Sequence, residues 1–177
     1  MRAPCAWAVL LAVGVPLMLL GCGWEPLYGD IETEPVGAEL RAIKVDPISE
    51  RIGQRLAIAL RNSLNPTGEP TTPRYQLSTT LTTYLSNLGI QSQGLATLGQ
   101  LDAYATYKLI ELKTGSVLLI NSVHVANSFD LNPNQYSTIV GEDDARNRCV
   151  SELDQEIVNR LTFFLQRRAA ETSAKSG

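Results

Sequence analysis

The residue of this chain whose type and setting point most directly to chemistry is Cys22, which closes the run Leu19-Leu20-Gly21-Cys22. Arg2 supplies a positive charge, residues 6–20 form an apolar stretch, and a small residue precedes the cysteine, which is the pattern of a lipoprotein cleavage box. Residues 1–21 are therefore expected to be a signal peptide, removed to leave Cys22 as the first residue. The chemistry is thioether formation with a diacylglycerol, followed by acylation of the new amino group. Each buried methylene adds about 0.8 kcal/mol of membrane affinity, so several chains make a permanent anchor. An uncleaved transmembrane helix is the competing reading. Gly14 and Pro16 interrupt the run, one charge flanks it, and no basic cluster follows Cys22, all of which disfavour that reading. Gly23 stands where an aspartate would favour retention in the inner membrane, so the expected location is the outer membrane, on the periplasmic side.

Other reactive residues do not assemble into a pattern. His124 is the only histidine and falls at an even position in a stretch whose odd positions are apolar, which places it on the far face of a strand. There is no Gly-x-Ser-x-Gly elbow, no His/Cys/carboxylate cluster at ligand spacing and no glycine-rich phosphate loop. Cys5 leaves with the signal and Cys22 carries lipid, so Cys149 stands alone and no disulfide can form within the domain. Cys149 lies on an apolar helical stripe, where it reads as a small hydrophobe. The expectation is a protein that is not an enzyme, with no cofactor and no metal. Fifteen basic against 18 acidic residues disfavour nucleic-acid binding.

The elements that would position any site follow from hydrophobic period. Removing residues 1–21 from 177 leaves 156, enough for one domain. Residues 22–37, with Pro26, Gly29 and Pro35, read as a lipidated tether, and the domain is expected over residues 38–168. A strand at residues 40–45 runs into a helix capped by Asp46 and opened by Pro47, with Ile48, Ile52, Leu56, Leu60 and Leu64 along one face. After a proline-rich loop, residues 75–85 alternate as a strand. Residues 87–99 read as a long connection, and residues 101–112 and 116–129 as a hairpin around Lys113-Thr114-Gly115. Glu142, Asp143 and Asp144 then open a helix whose stripe is Ala145, Cys149, Leu153, Ile157, Leu161 and Phe164. Residues 169–177 read as a disordered tail. The order β-α-β-β-β-α predicts an α+β two-layer sandwich, an approximately four-stranded mixed sheet with two helices packed on one face.

The mature start Cys22-Gly23-Trp24-Glu25-Pro26-Leu27-Tyr28-Gly29 resembles that of the lipopolysaccharide-assembly lipoprotein family, LptE, in its alphaproteobacterial form. Arg51-Ile52-Gly53-Gln54-Arg55-Leu56 and Tyr75-Gln76-Leu77 are similar to segments at the same places in that family, and the element order matches. The resemblance implies an outer-membrane lipoprotein that plugs an LptD-type β-barrel, assists its assembly and takes part in lipopolysaccharide transport to the cell surface. Its implied partners are that barrel, lipopolysaccharide and the membrane.

Lipopolysaccharide carries phosphates, so a contact site should gather cations. Arg74, Lys108 and Lys113 are the candidates, since the hairpin would bring them toward one end of the sheet. The threonines of residues 77–83 are candidates for a barrel-facing surface or, equally, the solvent face of a strand. Two alternatives stay open. One is a periplasm-facing lipoprotein binding a small apolar ligand or lipid without a barrel partner; the other, an anchored hydrolase, lacks a visible acid or nucleophile.

Overall fold

A computed structural model describes residues 35–90 and 96–175 of the chain. The expected signal peptide, the expected lipidation site Cys22 and residues 22–34 of the expected tether lie outside the described residues. The elements run α1 (Pro35–Arg41), β1 (Ile43–Val45), α2 (Arg51–Leu64), β2 (Tyr75–Ile90), β3 (Ala96–Glu111), β4 (Val117–Asp130) and α3 (Gln135–Lys175). One four-stranded sheet has the order β1-β2-β3-β4, with β1 parallel to β2 and the other pairs antiparallel. The expected α+β architecture is present, with one helix more than the sequence suggested. That helix, α1, has only Val36 and Leu40 as its buried apolar side chains and spans 7 residues, too few to show a helical period.

The strand alternation sorts the sheet into a dry and a wet face. On β3, Leu101, Ala103, Ala105, Tyr107 and Leu109 are buried, while Tyr104, Thr106 and Lys108 between them are exposed. The dry face is covered by the helices. Ile52, Leu56, Leu60 and Leu64 of α2 and Cys149, Leu153, Ile157, Leu161 and Leu165 of α3 join those strand residues in one hydrophobic cluster. The last buried residue of the α3 stripe is Leu165 and not Phe164, which is partly exposed. The small Ala103 and Ala105, at mid-strand, let a helix approach the sheet closely.

Helix α1 takes residues 35–37 from the expected tether and residues 40 and 41 from the expected strand, which therefore starts only at Ile43. Four further boundaries differ from the sequence expectation, each for a local reason. Helix α2 starts at Arg51 and not at Asp46-Pro47. Asp46 is committed to the sheet: its amide donates to Leu77 O at 3.0 Å, and its carboxylate accepts from Gln76 Nε2 at 2.8 Å. The chain then tucks Ile48 under the first turn of α2, so tightly that a Cβ on Gly53 would lie 2.7 Å from Ile48 Cγ2. Second, residues 87–90 and 96–99, expected to belong to a long connection, are strand, while residues 91–95 lie outside the described residues. The antiparallel ladder carries on through Leu88↔Leu98 and Ile90↔Ala96, and Gly99 lies against the Phe129 ring, where a Cβ would meet Cζ at 2.5 Å.

Third, α3 begins at Gln135 because the Asn132-Pro133-Asn134 turn is itself its cap. Asn134 Oδ1 accepts from the Tyr136 amide at 3.0 Å, and Thr138 Oγ1 accepts from the Asn132 amide at 2.9 Å. Glu142 and Asp144, inside the helix, form i,i+4 pairs with Arg146 and Arg148, while Asp143 reaches Arg55 of α2 at 2.9 Å. Fourth, α3 continues to Lys175 through most of the stretch expected to be a disordered tail. Alanine, glutamate and lysine there are good helix formers, and the Arg167–Glu171 pair supports the turn.

Between α2 and α3, Asp154 accepts from Ser63 Oγ at 2.7 Å, yet its other oxygen is buried without a partner among the described residues. Burial raises its pKa, the Ser63 bond opposing the shift. A carboxyl with a raised folded pKa favours the fold below its unfolded value, and that contribution is lost as pH rises through the folded pKa. Asp154→Asn is therefore expected to raise the melting temperature at pH 7 by roughly 2–4 °C per kcal/mol released, with the gain vanishing in acid, as followed by circular dichroism across pH. Leu153→Ala, at the centre of the core, is expected to cost about 2–5 kcal/mol in denaturant unfolding.

Candidate functional site

The helices cover one side of the sheet, so the surface with residues free to meet a partner is the other. Strand register sets its composition row by row. Thr80 faces Thr106, which faces Ser122; Thr82 faces Tyr104, which faces His124; Ser86 faces Gln100, which faces Ser128. At its centre Tyr104 and His124 stack with centroids 4.2 Å apart and planes inclined by 13°, and Tyr84 meets Tyr104 edge-on at 6.0 Å. Beneath the rings, Asp102 Oδ1 lies 2.9 Å from His124 Nε2, and Asp102 Oδ2 accepts from Gln100 Nε2 at 3.0 Å. These bonds, His124 first and Gln100 second, hold the Asp102 carboxyl below the ordinary aspartate range. The result is a surface of hydroxyls, amides and rings, held in register by the ladder.

Sequence reasoning placed His124 on this side but missed its partners. The signal was present: Tyr84, Asp102 and Tyr104 are even-numbered residues on strands whose odd positions are apolar. Assembling them requires the β2–β3 register, which was hidden while residues 87–99 read as a loop.

The sequence-nominated cations occupy one end of the sheet. Arg74 precedes β2, and its carbonyl accepts from the Leu112 amide at 2.9 Å, which brings it beside the turn that carries Lys113. Lys108 stands exposed on the open face opposite Ser78 and Ile120. Arg74 is engaged: it pairs with Glu39 and lies 5.5 Å over the Tyr75 ring. Glu111 at the same end takes Arg168 at 3.1 Å, and the Thr114 hydroxyl bond, ahead of Arg168, keeps its carboxyl low. The structure thus gathers Arg74 and Lys113 at one end, while Glu39 offsets Arg74. Cys149 is fully buried, with its thiol pKa raised chiefly by burial, the opposite of an activated nucleophile. Among the described residues no group of three or more His, Cys, Asp or Glu is placed to hold a metal ion.

The two long edges of the sheet are treated differently. Along β4, Arg160 Nη1 donates to Ser122 O at 3.0 Å and Arg148 Nη2 to Ser128 O at 3.0 Å. Both guanidiniums come from α3 and occupy carbonyls that an added strand would need. Along β2, only Tyr75–Leu77 are paired with β1. By strand alternation the outward-facing backbone groups continue at Thr79, Leu81, Thr83, Leu85 and Asn87, and no described residue bonds them. Residues 75–90 carry no charged side chain and no proline.

Solved structures share this fold. A presumptive lipoprotein of Caulobacter crescentus CB15 superimposes with a TM-score of 0.61 at 20% identity, covering 76% of this chain and 98% of that one. A minor lipoprotein of Acinetobacter baumannii does so with a TM-score of 0.52 at 16% identity, over 68% of this chain and 91% of that one. No family model matches the chain. No curated protein matches it either.

If Arg148 and Arg160 guard β4, the double substitution Arg148→Ala with Arg160→Ala should leave the far-ultraviolet spectrum native while raising self-association. Light scattering against protein concentration reads this directly; a profile identical to that of the parent chain would remove the guarding role.

Proposed function

We propose that this chain is a lipid-anchored outer-membrane protein, attached through Cys22 on the periplasmic side. It fills an LptD-type β-barrel, assists that barrel's assembly and takes part in lipopolysaccharide transport. The observation that carries the reading is the face of β2, β3 and β4 that no described helix covers. A fold that buries one side of its sheet under helices and presents hydroxyls, amides and tyrosines on the other is suited to a polar barrel lumen, where contact is made through many hydrogen bonds. The cleavage box ending at Cys22, the resemblance of residues 22–29 to the family start, and a fold shared with two proteins described as lipoproteins support the same reading.

In this reading the sheet end carrying Arg74 and Lys113, with Lys108 nearby on the open face, is where lipopolysaccharide phosphates would be met. Lys113 is the most informative of the three, because it lies in an exposed turn and no charged partner holds it among the described residues.

The test is to tag the carboxyl terminus, extract membranes in mild detergent and identify what co-purifies. One large β-barrel at one-to-one stoichiometry is expected; a lone lipoprotein, with or without bound lipid, would overturn the partnership. Thr80→Glu with Ser128→Glu sets two well-separated carboxylates at exposed positions of the open face and should lower barrel recovery about tenfold, equivalent to 1.4 kcal/mol, with the fold checked by circular dichroism. Undiminished recovery would move the interface elsewhere.

A further inference from the structure

A groove of about 480 Å³ runs between β4 and the carboxyl-terminal half of α3, away from the open sheet face. Its floor is apolar, made by Leu119, Phe163 and Phe164, and Asn121 lines it beside them. Phe163 is 66% exposed, far more than a phenylalanine serving only the core would be. Two guanidiniums, Arg160 and Arg167, stand in the lining and no carboxylate does. The volume falls within the range of small-molecule sites.

The two arginines differ in a way that suits a ligand headgroup. Arg160 is fixed: Glu156 Oε1 holds its Nε at 2.7 Å, and Asn121 Oδ1 and Ser122 O take its Nη1 at 3.1 and 3.0 Å. Arg167 is 72% exposed and among the described residues has only a 3.4 Å contact with Glu171, itself exposed, so little is lost when it turns to another anion. An apolar slot with a fixed cation and a loosely held one calls for a molecule that is apolar along most of its length and anionic at one end. We propose that this groove binds an alkyl or acyl chain bearing a phosphate or phosphate-like head, the chain lying against Phe163, Phe164 and Leu119 and the head meeting Arg160 and Arg167. A neutral amphiphile would leave the loosely held Arg167 without a strong anionic partner, and free phosphate would leave the apolar lining bare. The inference rests on the groove alone and does not require the barrel partnership.

The full chain, held in phosphatidylcholine nanodiscs, can be exposed to octyl phosphate carrying a terminal diazirine, irradiated, and mapped by peptide mass spectrometry. Adducts are expected at residues 119–121 and 159–167. Octyl glucoside carrying the same diazirine should label these positions about fivefold less, and Arg167→Glu should reduce octyl phosphate labelling by about the same factor. Phe163→Ser, at an exposed position that leaves the core untouched, should lower it independently of charge; circular dichroism confirms that each variant is folded. Equal labelling by the glucoside, or labelling unchanged in Arg167→Glu, would reduce the groove to a greasy surface and overturn the assignment. Adducts confined to other segments would overturn it as well. Inorganic phosphate displacing the label as well as unlabelled octyl phosphate does would show a free-phosphate site and also refute it. Co-purification of a barrel is unaffected by any of these outcomes, so the two readings fail separately.

Discussion

The structure depends on the difference between the two sides of β3. This strand is hydrogen-bonded along both edges, to β2 and to β4, so its side chains alone decide what each face can do. Odd positions set the small Ala103 and Ala105 between the larger Leu101, Tyr107 and Leu109 and pack under the helices; even positions carry Tyr104, Thr106, Lys108 and the Asp102 carboxylate on the other face. A shift of one residue in either ladder would exchange the faces, burying that carboxylate and exposing Leu101, Tyr107 and Leu109, at a cost well above the few kcal/mol by which domains are stable. The long helix α3 follows from the same constraint, since the dry face needs an apolar stripe from Cys149 to Leu165 to close it.

How much of this was legible in the sequence tracks how local the governing interaction is. The period-two runs of β2, β3 and β4 and the four-residue recurrence along α2 and α3 were readable because alternation and helical stripe are properties of neighbouring residues. The start of α2 was not, because Asp46 could cap a helix or accept from Gln76, and only the pairing of β1 with β2 brings Gln76 within reach. The polar stretch at residues 87–99 was read as a loop because nothing in it announces a strand; residues 87–90 and 96–99 are held in strands by their ladder partners. The start of α3 was misplaced because an acidic cluster and an Asn-Pro-Asn turn both signal a helix opening, and the cap lies in the turn.

The same distinction governs the functional surface. His124 could be assigned a face from its own position, whereas its stack on Tyr104 and its bond to Asp102 are cross-strand relations that exist only in register. Similarly, Arg148 and Arg160 look in sequence like ordinary helix-surface charges. In the fold they reach the backbone of β4, and one of them also lines the groove beside Phe163. Long-range placement gives these side chains tasks that their local spacing does not reveal.

The outer edge of β2 beyond Leu77 has a kinetic consequence. A run of amides and carbonyls that no described residue bonds, flanked by threonines, tyrosine and leucines and free of charge or proline, is a template on which another extended chain can grow. Growth of that kind begins with encounters between two molecules, so its initial rate scales with the square of the amount of uncovered chain. Doubling the concentration of chain with this edge exposed would then make early loss to aggregates roughly fourfold faster. The cost of leaving that one strand open thus grows faster than the amount of protein.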